Sequence, residues 1–449
     1  MSQDETAPES RLHRLLGHAV AVRPEEVRAL VWSFAYFFCL LAAYYVLRPV
    51  RDEMGIAGGV RNLPWLFTAT FVVMLAAVPL YGAVVARLPR RRFIPLVYHF
   101  FVLNIAAFWL LLAFDVGRQH VAWVFFVWIS VFNLFAVSVF WSFMADLFAA
   151  EQGKRLFGFI AAGGSAGALA GPALAVGLAV PIGYMNLLIV AAILLELAVW
   201  CALRLERAAP RPAGAPETPA AGQRERDGMG GGWLAGFLLV LRSPYLAGIA
   251  GWVSALSLAG TILYFQQANI VATASDDPAV RTRIFATIDL AVGALTIIVQ
   301  CFATGRLMTR FGVGPAAALL PAVFCAGFAA LALSPALFVV IAFQAVQRTA
   351  NFAVSNPARE VLFTVVAHEA KYKAKNVIDT VVFRGADAAS GWVFATLRAA
   401  GLELAAISAV MVPASVAWLV LALALGRGQD RRAARLREEA ARAGTTAGA

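Results

Sequence analysis

Charge is scarce in this chain. Only 14% of its residues are Asp, Glu, Lys or Arg, where soluble domains carry about 25%. That scarcity excludes an ordinary water-facing surface. Cysteine is scarcer still. Cys39, Cys201, Cys301 and Cys325 all fall in apolar runs and no CxxC pair exists, so neither a disulfide framework nor a zinc site is indicated. The five histidines show no HExxH or related spacing, so no metal and no cofactor are expected. No Walker loop, kinase motif or Ser-His-Asp pattern occurs; neither an enzyme nor transport driven by ATP hydrolysis is expected. What the chain has instead is apolar: 61% of its 449 residues are hydrophobic and the mean hydropathy is +0.76. This is the composition of a polytopic, all-α integral membrane protein. The first 26 residues are polar, and the first apolar run is too long for a signal-peptide core, so no cleavable signal is expected. The net charge of +11 reads as basic residues retaining loops on one side of a bilayer, not as a nucleic-acid surface.

A span needs about 20 apolar residues. On that rule about twelve are expected, near 27–47, 63–86, 93–114, 121–145, 156–178, 184–203, 243–266, 284–304, 313–333, 336–355, 377–398 and 403–425. The segment 206–232 is rich in Pro, Ala, Gly and charge with no apolar period, which predicts a flexible linker. The expected organisation is a polar segment 1–26, a six-helix half 27–205, the linker, a second six-helix half 233–426 and a charged tail 427–449. Trp233–Leu241 reads as a short interfacial helix. With the N-terminus inside, the inner loops hold more Lys and Arg than the outer ones, so both termini are expected in the cytoplasm and the chain in the inner, plasma membrane. A weak internal repeat accompanies this pattern. Gly82 and Arg87 recur as Gly305 and Arg310, and Glu151 and Gly167 as Glu369 and Gly385. Two six-span halves repeated in the same sense resemble the major facilitator plan.

The polar residues inside apolar runs are the candidate functional groups, because charge at membrane depth costs roughly 2.5–3.5 kcal/mol per residue on insertion scales. The stretch 44–53 places Arg48, Arg51, Asp52 and Glu53 at the expected mouth of the first span, beside Pro49, which is expected to end or kink the helix. Arg48 and Arg51 can bind phosphate or carboxylate with planar forks of donors; the alternative is that they pair with Asp52 and Glu53 and anchor the interface. A second cluster begins with Gln344, Gln347, Arg348 and Asn351 at helical spacing. It continues through Arg359, Glu360, Lys371, Lys373, Lys375, Asp379, Arg384 and Asp387. Arg384 and Asp387, three apart, can pair structurally; the lysines can equally be inner-side anchors. Gln266, Gln267 and Asn269 end the seventh span. Asp289 is a candidate proton carrier or a helix–helix contact, and Glu196 stands in a very apolar setting. Asp146, Lys154 and Arg155 form a candidate gate or charge anchor after the fourth span. Gly163, Gly167 and Gly171, each four apart, leave one helix face bare for close packing.

Three stretches resemble the ATP:ADP antiporter (nucleotide carrier) family within the major facilitator superfamily. They are Leu47-Arg48-Pro49-Val50-Arg51-Asp52, the run from Phe140 through "EQGKRLFGFIAAGG", and "NPARE…KYKAKNVIDTVVFR" from Asn356 to Arg384. The resemblance implies that Arg359, Glu360, Lys373, Lys375, Asp379 and Arg384 take part in binding phosphates or in selection and coupling. The reading is then a secondary transporter working by alternating access. Arg48, Arg51, Gln347, Arg348, Arg359, Glu360 and Arg384 contact a small anionic solute, with ATP and ADP as leading candidates. Asp146, Lys154, Arg155, Asp289, Lys373, Lys375, Asp379 and Asp387 serve in coupling or gating. The alternatives are proton-coupled transport of another organic anion or a drug-like compound, with Asp289 or Asp387 as carrier, and a non-transporting membrane scaffold that keeps the fold.

Overall fold

The computed structural model describes residues 23–85, 90–148, 150–208, 233–366 and 368–446. Most of the expected linker and Arg87 lie outside them, as do the side chains of Arg90, Arg91, Arg92 and Lys154. Among the described residues the regular structure is helical. The first six helices are α1 (Val27–Ala57), α2 (Leu63–Val85), α3 (Arg90–Ala113), α4 (Arg118–Leu147), α5 (Ala150–Leu178) and α6 (Leu187–Ala208). Next come α7 (Trp233–Arg242), α8 (Pro244–Ala274), α9 (Pro278–Val299), α10 (Gly305–Phe311) and α11 (Val313–Leu333). The chain ends with α12 (Leu337–Ala350), α13 (Asn356–Leu362), α14 (His368–Val377), α15 (Phe383–Ala399) and α16 (Leu404–Thr446).

Eleven helical stretches are long and apolar enough to cross a membrane. The expected span at 377–398 is not among them, because Asp379, Arg384 and Asp387 interrupt its apolar run; it is helical all the same, from α14 through a π-helical turn at Ile378–Val382 into α15. Two further π-turns, Gln300–Thr304 and Asn351–Ser355, join α9 to α10 and α12 to α13. They meet each other: Thr304 Oγ1 donates to the Ala353 carbonyl at 2.8 Å. Wide turns of this kind release backbone carbonyls to outside donors.

Pro49 does not end the helix. Pro49 is buried inside α1, which runs on to Ala57, so the charged group lies within the last turns of the helix and not beyond its end. A proline removes one backbone donor, and one helical turn tolerates that loss when neighbouring turns and packed side chains hold the path.

The helices sort into two compact units. One comprises Met1–Gly58, Val73–Gln223 and Asp277–Asp289; the other Gly59–Val72, Arg224–Asp276 and Leu290–Ala449. Each unit thus contains most of one sequence half and a short piece of the other. In the first unit α5 packs on α1 through the bare glycine face. A Cβ at Gly163 or Gly167 would collide with the carbonyl oxygens of Phe34 and Phe38, and one at Gly171 would lie 2.6 Å from that of Ala42. In the second unit α11 and α16 approach as closely, since a Cβ on Gly426 would strike the Gly314 backbone. The expected tail is a continuation of α16, with the Arg432 guanidinium 4.5 Å from the Tyr245 ring centre.

Candidate functional site

In the first unit, α1 carries its charges inward. Asp52 is 7% exposed and Glu53 fully buried. Asp52 keeps its sequence neighbour Arg51, whereas Glu53 and Arg48 find partners far along the chain. Glu53 receives both arms of Arg281, with Nε to Oε2 at 2.7 Å and Nη2 to Oε1 at 2.6 Å. This is a two-pronged fork between planar groups, the strongest form such a contact takes. Arg48 faces Asp289, Nη1 to Oδ1, at 3.5 Å. Arg51 lies 3.7 Å from Asp52 and sets its guanidinium 4.4 Å from the centre of the Phe126 ring. Asp289 is only 3% exposed. Two ion pairs therefore join α1 to the first part of α9 as far as its middle, one tight and one loose.

At the other end of α1, Glu26 is buried and accepts from Gln152 at 2.9 Å and from Arg155 at 3.0 and 3.3 Å. Burial works against the carboxylate, but the backbone N–H of Arg23, Gln152 and Arg155 together hold the Glu26 carboxyl below its ordinary value. Arg155 is thus an anchor of the α1 start. Asp146 is exposed near the end of α4.

The second unit separates its polar groups into three clusters. Gln344 donates to Gln267, Gln347 donates to Gln344 at 2.7 Å, and Gln266 accepts from Ser408 at 3.0 Å. This amide chain is buried between α8, α12 and α16. Arg348, on α12, is half-buried beside it. The second cluster pairs Arg359 with Asp379 at 3.3 Å and Glu360 with Lys375 at 2.6 Å. The π-turn at Ile378–Val382 carries Asp379 into this pairing. Arg359 Nε has no hydrogen-bond partner among the described residues. Lys373 is half-buried on α14. In the third cluster Asp387 Oδ1 accepts from Ser257 and from Thr261 at 3.2 Å, and Oδ2 lies 3.6 Å from Arg384. The expected Arg384–Asp387 pair is present, but the hydroxyls of α8 hold the carboxylate more closely.

The sequence reading missed Arg281, counted only as a loop charge, and Glu26, Ser257 and Thr261. Ser257 and Thr261 carry a usable signal, two hydroxyls four apart in an apolar span. Arg281 and Glu26 carry none, because their partners are distant in sequence. Among the described residues no group of three or more His, Cys, Asp or Glu side chains could hold a metal.

The Major Facilitator Superfamily model matches residues 30–374. No curated protein sequence matches the chain. Solved structures do. A bacterial homologue of the iron transporter ferroportin, in an inward-facing state, is 12% identical, with 90% of this chain and 98% of that one covered at a TM-score of 0.64. The nucleoside transporter NupG is 14% identical, with 89% and 98% covered at 0.61. A bacterial homologue of the human lysosomal transporter Spinster, inward-facing and unoccupied, is 14% identical, with 92% and 97% covered at 0.56. At these identities the neighbours establish the fold alone, while the family match takes in most of the chain: it belongs to the Major Facilitator Superfamily and is a secondary transporter of that type.

Proposed function

We propose that this transporter carries a small organic anion, and that a phosphate-bearing solute of the nucleotide type, with ATP and ADP as leading candidates, is exchanged by alternating access in the inner membrane with both termini in the cytoplasm. One observation carries the reading: Arg48 is a half-buried guanidinium whose carboxylate partner stands off at 3.5 Å, while the neighbouring Arg281–Glu53 fork is closed at 2.6 Å. A loosely held counter-ion is the one that an incoming anion can replace. The guanidinium then offers the solute the fork of donors that suits phosphate or carboxylate. Arg51 lies one helical turn on, on the same helix. In the second unit, taken by itself, Arg359, whose Nε has no hydrogen-bond partner among the described residues, is a candidate anion-binding group. The Gln267–Gln344–Gln347 chain supports contact with an uncharged hydrogen-bonding group. The resemblance to nucleotide carriers narrows the solute class.

The proton-coupled alternative rests on the same pair. When a solute takes Arg48, Asp289 gives up that partner and becomes the first candidate proton carrier. Asp387, held by Ser257 and Thr261, is the second candidate carrier.

The test is counterflow into liposomes containing the purified protein, with labelled nucleotides, other organic anions and a neutral nucleoside. Anion uptake should be accelerated by unlabelled anion inside and lost in Arg48→Ala. Uptake that follows a pH gradient and is uncoupled by Asp289→Asn favours the proton reading. Flux of the nucleoside alone removes the anion reading, and absence of all flux favours the scaffold.

A further inference from the structure

One ionisable pair lies outside everything described above. His99 Nε2 on α3 stands 3.5 Å from Glu196 Oε2 on α6, and the two side chains are 52% and 44% exposed. The exposed side chains around them are apolar: Leu96, Phe100 and Leu103 on α3 and Ile193, Leu197 and Trp200 on α6. A surface of this composition faces the hydrocarbon of the bilayer. Glu196 is the middle residue of the apolar stretch Tyr184–Ala208, about 18 Å from either end at 1.5 Å per residue. The half-thickness of the hydrocarbon core is roughly 15 Å, so lipid headgroups do not reach the pair. Ionisable groups at that depth almost always face protein or a water-filled cavity.

The chemistry of the pair specifies a partner. His99 Nδ1 lies 2.6 Å from the Pro95 carbonyl, an acceptor only, so Nδ1 carries a proton. Nε2 then faces the Glu196 carboxyl oxygen at 3.5 Å. Glu196 Oε1 has no hydrogen-bond partner among the described residues. The patch therefore presents an acid and a base side by side on an apolar face. A two-fold axis passing between two such patches allows each copy's His99 to meet the other's Glu196, the self-complementary contact that a symmetric dimer requires. Polar groups of this kind hold transmembrane helices together.

We propose that the α3–α6 face is the dimer interface of this protein in the membrane, and that its occupant is a second copy of the chain, joined through reciprocal His99–Glu196 contacts. The interface stands apart from the anion reading, and its test needs no transported solute.

The experiment measures the monomer–dimer equilibrium of full-length protein in liposomes by single-molecule photobleaching over a range of protein-to-lipid ratios. Wild type should dimerise. Glu196→Leu should weaken association by at least about tenfold, since two symmetric polar contacts are lost. His99→Glu alone and Glu196→His alone place like groups together, and each should stay monomeric; mixed together they should form heterodimers, because every acid then faces a base. Recovery in the mixture also shows that both variants are folded. The proposal is overturned if wild type remains monomeric at all ratios, if Glu196→Leu dimerises as wild type does, or if the mixture fails to associate. Disulfide capture of Leu103→Cys, with the four native cysteines replaced, provides the second reading: cross-linking supports the face, and its absence in a dimeric sample assigns the interface elsewhere.

Discussion

Arg281 and Glu53 show how much one contact depends on its setting. The fork is 11% exposed on one side and 1% on the other, so truncating either residue leaves a buried charge unpaired. Arg281→Ala and Glu53→Ala are each expected to cost about 3–5 kcal/mol. Replacing both with apolar residues should cost less than the two single changes added together, which a double-mutant cycle of thermal unfolding in detergent measures. Equal and additive losses would mean that the fork is not a coupled pair. At Arg48 the expectation differs, because the contact is looser. Arg48→Lys keeps the charge and loses the planar fork, so solute affinity should fall by an amount equivalent to about 1–3 kcal/mol. Arg48→Ala should abolish counterflow with insertion intact. Normal transport in both would make Arg48 a structural anchor. Glu26 makes a pH prediction. Its carboxyl is held below the ordinary 4.5, so its contribution is present above that value and is lost as pH falls through the lower, folded value. Wild type should therefore lose more stability between about pH 5 and pH 3 than Glu26→Gln does. Parallel acid profiles would remove Glu26 as the cause.

At the scale of the element, the α1–α5 contact rests on missing side chains. Gly167 has the Phe38 carbonyl against the position of its absent Cβ, whereas Gly177 on the same helix has nothing within 4 Å. Gly167→Ala is expected to cost about 1–3 kcal/mol through overpacking against backbone that cannot move aside. Gly177→Ala should be neutral or slightly stabilising, because alanine favours the helix. Unfolding of the two variants side by side checks this, and equal effects would show that helix propensity, not packing, governs the face. Such a stripe is legible in sequence because its period is that of the helix. The π-turns are not. The segments "QCFAT", "NFAVS" and "IDTVV" are rich in weak helix formers, but low propensity does not distinguish a π-turn from any other weak stretch of helix. The wide turns are selected by what the released carbonyls meet, as Thr304 does at Ala353.

For the whole molecule the expected topology is testable without any solute. Gln429 is a poor reporter of the tail, because it is buried at 7% exposure. Glu438 and Asp276 are exposed. In a variant without native cysteines, Asp276→Cys should react with a membrane-impermeant thiol reagent in intact cells and Glu438→Cys should react only after lysis. Labelling of Glu438→Cys from outside would reverse the proposed orientation.

The amino-acid sequence by itself determined the membrane class, nearly every span and the ionisable residues that interrupt the apolar runs. Each of these depends on composition or on a period of a few residues, and such properties are local. Pairing is not local. Arg48 has Asp52 one turn away and meets Asp289; Glu53 has Arg51 nearby and meets Arg281; Glu196 meets His99. Tertiary structure alone decided these partners. Burial makes an unpaired charge costly, and the pair that forms is the one that helix packing brings within reach.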